Sequence, residues 1–109
     1  MKIIFYESKS KEIDIHITVS LKDGELKFEG QDLGPLVDKL RGMGDEYEYG
    51  LTLDKENTQR LFEAMKIEKL SDKEKLETIR DRCKDDRGIS GIEEFCEKHD
   101  IEAKFYSWP

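Results

Sequence analysis

The sequence predicts an α+β fold: a mainly antiparallel sheet of about five strands with helices packed on one face, in the order β-β-β-α-β-α-α-α-β. Three observations carry this. "EIDIHITVSL" (residues 12–21) alternates apolar and polar residues without a break. Asp23-Gly24 follows it, the dipeptide that favours a two-residue hairpin turn. Two Ser-x-x-Glu boxes, Ser71 with Glu74 and Ser90 with Glu93, mark helix starts.

Taken in order, "KIIFYE" from Lys2 to Glu7 is a first strand. In the second, Ile13, Ile15, Ile17, Val19 and Leu21 point one way and Asp14, His16, Thr18 and Ser20 the other. "LKFEG" (residues 26–30) completes the hairpin. "LGPLVDKLRG" carries Leu33, Leu36, Val37 and Leu40 at helical spacing, with Pro35 suited to the first turn and Gly42 and Gly44 to stop it. "DEYEYGLTLDKEN" (residues 45–57) reads as a strand with Tyr47, Tyr49, Leu51 and Leu53 on its core side and Glu46, Glu48 and Thr52 on the other. Asp54 is the expected N-cap of a helix running from Lys55 to about Met65.

The first serine box opens a helix burying Leu76, Ile79 and Cys83, which Gly88 is suited to end. The second opens one burying Ile92, Phe95 and Cys96, with Leu70 and Ile89 placed before the two caps as hydrophobic staples. "IEAKFYSW" (residues 101–108) alternates again and closes the sheet, joining either edge. One domain spanning residues 1–109 is expected, since this length suits one core.

Charged residues make up 41% of the chain, and 26 acids against 19 bases give a formal charge of −7. In each third of the chain the acids outnumber the bases. That argues against direct binding to nucleic acid or anionic membranes, which rests on clustered lysine and arginine, and favours a basic protein partner. The apolar start "MKIIFYESKSKE" is too short for a signal-peptide core, so a cytoplasmic location is expected.

The polar side of the sheet is the candidate surface. It gathers Glu46, Glu48, Asp14 and His16, with Tyr106 and Trp108 as aromatic anchors and Asp54 as a further acid. Two readings stay open: a docking face for a basic protein, or the wet side of a sheet covered on one face only. With so many acids, paired carboxylates carry no catalytic signal, and no P-loop, nucleophile elbow or dinucleotide glycine pattern occurs, so no cofactor is expected. Cys83, Cys96 and His99 have ligand chemistry suited to zinc but lack a fourth ligand; buried free thiols are the simpler reading, and a disulfide is the third. "RDRCKDDRG" (residues 80–88) reads as a solvated face of mixed charge.

The segments "GQDLG", "YEYGLTLDKENTQRLFEAM" and "FCEKHDIEAKFYSW" together resemble a family of small uncharacterised bacterial proteins. Size and acidity make the chain similar in kind to the immunity proteins that neutralise bacterial toxins. The resemblance implies a protein partner and gives no single residue a role. The expected function is therefore a non-enzymatic protein-binding domain of immunity type, directed at a basic toxin or nuclease. The alternatives are a regulatory or anti-defence protein whose carboxylates mimic the charge of nucleic acid, and an enzyme with a carboxylate site.

Overall fold

A computed structural model describes residues 1–42, 44–85 and 87–108, apart from the side chains of Arg41 and Trp108. The elements follow the expected order: β1 Lys2–Lys9, β2 Asp14–Lys22, β3 Glu25–Leu33, α1 Pro35–Arg41, β4 Glu46–Leu53, α2 Lys55–Met65, α3 Asp72–Cys83, α4 Ser90–Lys98 and β5 Lys104–Trp108. The strands form one antiparallel meander, β1-β2-β3-β4-β5, so the last strand joins the β4 edge. The β2–β3 turn is made by Asp23 and Gly24, both at positive φ (54° and 81°), as a two-residue hairpin turn of type I′ requires.

The helices cover one face. Ile17, Val19, Leu26, Phe28, Leu51 and Leu53 of the sheet are buried against Leu61, Phe62 and Met65 of α2, Leu76 and Ile79 of α3, and Ile92 of α4. Phe5 and Phe28 meet edge to face, with ring centroids 5.2 Å apart. Tyr47 and Tyr49 are buried on this side too, as their shared face with Leu51 and Leu53 predicts. No helix among the described residues is long and apolar enough to cross a membrane.

Local capping chemistry forms where the chain is free to adopt it. Ser71 accepts the N–H of Glu74, and the Glu74 carboxylate accepts from the Ser71 N–H and hydroxyl. Asp54 Oδ1 accepts from the N–H of Asn57 at 2.9 Å and from its Nδ2 at 3.0 Å. Those two bonds hold the Asp54 carboxyl below its ordinary range. The folded pKa being the lower one, the cap stabilises fully above the unfolded pKa and is lost as pH falls through the folded value.

Four expectations are corrected. Leu33 belongs to β3 rather than to the helix, and Leu40 is 71% exposed, so Val37 alone of the predicted α1 stripe is fully buried. Helix α1 has seven residues at one end of the sheet, too short to cover it with two full turns. The Ser90–Glu93 capping box does not form: Ile89 occupies the N-cap position, without a side-chain cap bond, and Ser90 is already helical. Ile89 is buried, and drawing it into the core moves the helix start back by one residue. Gly88 does not end α3, whose C-cap is Lys84; it closes a turn bridged to Asp85, at φ 73°. Finally, the last strand begins at Lys104, not at residue 101. The Glu102 N–H is spent on the Asn57 side chain, 2.9 Å away, and so cannot join the ladder there.

Candidate functional site

Side chains that alternate away from the helices form an open sheet face, and the strand register sorts them into rows. Ser20 pairs with Lys2 and Lys27, and Thr52 with Lys27 and Lys104, so one row reads Lys2, Ser20, Lys27, Thr52, Lys104. The next row is Ile4, Thr18, Glu29, Gly50, Tyr106. Then come Glu7, His16, Gln31 and Glu48, with Trp108 opposite Glu48 in the backbone register. Lys9, Asp14, Leu33 and Glu46 complete the face.

Asp14, His16, Glu46 and Glu48 thus stand together at one end, and Tyr106 lies across the middle of the same face. The Trp108 side chain lies outside the described residues. Asp54 sits at the opposite end, beyond Leu53, and its carboxylate caps α2. The acidic end is tied together by polar bonds: His16 Nδ1 lies 2.8 Å from Glu7 Oε2, and Gln31 Nε2 donates to Glu46 Oε1 at 2.8 Å. Glu7 reaches this face because β1 carries a bulge. Ile4 pairs with Thr18 and Tyr6 with Ile17, so Phe5 is an extra residue and every later side chain in β1 changes sides.

The lysine row is the feature that sequence reading missed. Lys2, Lys27 and Lys104 are far apart in the chain, and only the register aligns them. Lys2 and Lys27 reach Glu29 at 3.9 and 4.0 Å, long exposed pairs of little energetic weight. The face is therefore bipolar rather than uniformly acidic. A shallow groove of about 250 Å³ runs between the two ends, touching Lys2, His16, Thr18, Glu29, Glu48 and Tyr106. Tyr106 lines it because Gly50 has no side chain: a Cβ at that position would collide with the Tyr106 ring.

A second cleft, about 230 Å³, lies on the helix side and is lined by Asp32, Tyr47, Tyr49, Arg87, Glu93 and Phe105 among others. Tyr49 stacks between Tyr47 and Phe105, at centroid distances of 5.3 and 6.5 Å, and donates its hydroxyl to Asp32 at 2.8 Å. Arg87 is clamped by Asp85 and Glu94. Burial pushes the Glu93 carboxyl above its ordinary range. The Tyr49–Asp32 bond and the Arg87–Asp85–Glu94 cluster brace the wall of this cleft.

Cys83 and Cys96 are both free and buried, and burial pushes their thiols up to about 11 and about 12. His99 turns its ring onto Phe95, with centroids 4.1 Å apart, and its Nδ1 lies 2.9 Å from the Phe95 carbonyl. No group of three or more potential ligands suited to a metal ion occurs among the described residues. Both thiols are expected to react slowly with a thiol reagent at neutral pH, because the thiolate is the attacking species, and rapidly in denaturant. Fast labelling of the native protein, measured by absorbance, would contradict the burial.

Comparison with protein-family models, curated proteins and solved structures finds no match to this chain.

Proposed function

We propose that this chain is a non-enzymatic protein-binding domain that docks a basic protein on the acidic end of its open sheet face. An immunity-type inhibitor of a basic toxin or nuclease is the form that the small size and acidity support. The observation that carries the reading is the gathering of Asp14, His16, Glu46 and Glu48, contributed by β2 and β4, at one end of a face the helices leave open. A field of this kind steers encounter with a cationic surface and raises the association rate more than it strengthens the final complex. The lysine row on the same face interrupts the negative charge, which favours a partner with a localised basic patch over mimicry of a continuous phosphate backbone.

The test uses the double variant Glu46→Lys, Glu48→Lys. Its stability is expected to stay within roughly 0.5 kcal/mol of the parent, as exposed substitutions usually do. Proteins captured by the immobilised parent chain but lost from the variant should be basic. Each, once purified, should associate with the variant roughly tenfold or more slowly at low salt. Identical capture by both chains, or equal association rates, rules the acidic end out.

A further inference from the structure

The bipolar face is self-complementary. Consider two copies stacked face to face, about 10 Å apart, and related by a two-fold axis lying along the middle row of Ile4, Thr18, Glu29, Gly50 and Tyr106. A half-turn about this axis, perpendicular to the strands, lays the lysine row of one copy over the Glu7–Glu48 row of the other. Lys2 then faces Glu7 of the second copy, while Lys104 lies over the backbone position of its residue 108, one strand over from its Glu48. A two-fold parallel to the strands would instead set lysines on lysines. We propose that a second copy of this chain is the occupant of the open face, in an isologous dimer with Lys2 of each protomer opposed to Glu7 of the other and Lys104 diagonal to its Glu48.

Two further features support this occupant. The centre of the footprint is its least charged part: Ile4 is 52% exposed on this face, and the Tyr106 ring occupies the space above Gly50. Glu29 is the one acid on the axis, and each copy's own Lys2 and Lys27 flank it. The area also suffices. Five strands of five to nine residues give roughly 600–700 Å² of planar surface. Side-chain relief brings that near the about 800 Å² per partner of a standard stable interface. The net charge of −7 opposes self-association at long range, so the contact depends on matched charge and on salt. The acidic end proposed for a basic partner lies within this footprint, so a second copy and a basic partner compete for it. Self-association is read by sedimentation of the chain alone and partner binding by capture, so either can fail without the other.

The experiment is sedimentation equilibrium of the full chain and two charge-reversal variants, K2E/K104E and E7K/E48K, with circular dichroism to confirm that both fold. At about 100 μM and low ionic strength the parent chain should be dimeric, and about 0.5 M salt should weaken association roughly tenfold or more. Each variant alone should be monomeric, because the contacts of residues 2 and 104 with residues 7 and 48 become like-charged, acid on acid in one variant and base on base in the other. An equimolar mixture should restore the dimer, since only the mixed pair sets opposite charges together. A parent chain that stays monomeric overturns the proposal. So does a dimer that survives either variant, or a mixture that remains monomeric.

Discussion

Replacing Thr58 with valine is expected to destabilise the protein by about 2–4 kcal/mol, although the two side chains have nearly the same shape. Thr58 lies in the second turn of α2 and is 1% exposed. Its hydroxyl accepts the N–H of Leu26 and donates to the carbonyl of Leu53, each at 3.1 Å. One side chain thereby ties α2 to the ends of both β3 and β4. Valine fills the space but leaves a buried donor and a buried acceptor without partners, and the desolvation cost of each stands uncompensated. Serine keeps both bonds and loses one methyl, so it should cost only about 1 kcal/mol. Urea unfolding followed by far-ultraviolet circular dichroism gives both values. Equal costs for valine and serine would show that packing, not the pair of hydrogen bonds, holds the helix there.

Two glycines in the sheet should respond differently to alanine. A Cβ on Gly30 would run into the Tyr49 ring, and one on Gly50 into the Tyr106 ring. Neither glycine needs positive φ, so the collision is the whole difference. Tyr49 is buried, stacked on Tyr47 and bonded to Asp32, and has nowhere to go. Gly30→Ala should therefore cost about 2–4 kcal/mol, the sum of overpacking and a strained hydrogen bond. Tyr106 is only half-buried, on the open face, and meets the added Cβ with the outer end of its ring. That end can shift at the expense of its hydrogen bond with Lys27, so Gly50→Ala should cost less, about 1–2 kcal/mol. Similar losses at the two sites would mean that Tyr106 is held as firmly as Tyr49. In that case the middle row is a rigid platform.

These two cases divide along the line between short-range and long-range information. Asp54 and Ser71 were legible as caps because the groups they bond lie three residues away. The Asp23-Gly24 hairpin was legible for the same reason, since two residues set the turn. Strand alternation likewise assigned Asp14, His16, Glu46, Glu48 and Tyr106 to the polar side of their strands. In each case the deciding partner is within a few residues, and no distant segment competes for it. The Ser90 box looked the same in sequence and did not form: Ile89 takes the N-cap position and Ser90 is already helical.

By itself, then, the sequence determined the elements, their order and the polar sides of β2 and β4, through interactions that close within one turn or one strand. It could not determine neighbours across strands. Register depends on pairing between segments far apart in the chain, and a slip of one residue turns every side chain over. The bulge at Phe5 is such a slip, and it alone brings Glu7 beside His16 on the open face. The register likewise aligns Lys2, Lys27 and Lys104 into one row. A chain acidic throughout in sequence thus folds to a surface with two opposite ends, because charge adds up along the chain while an electric field is set by distances in space.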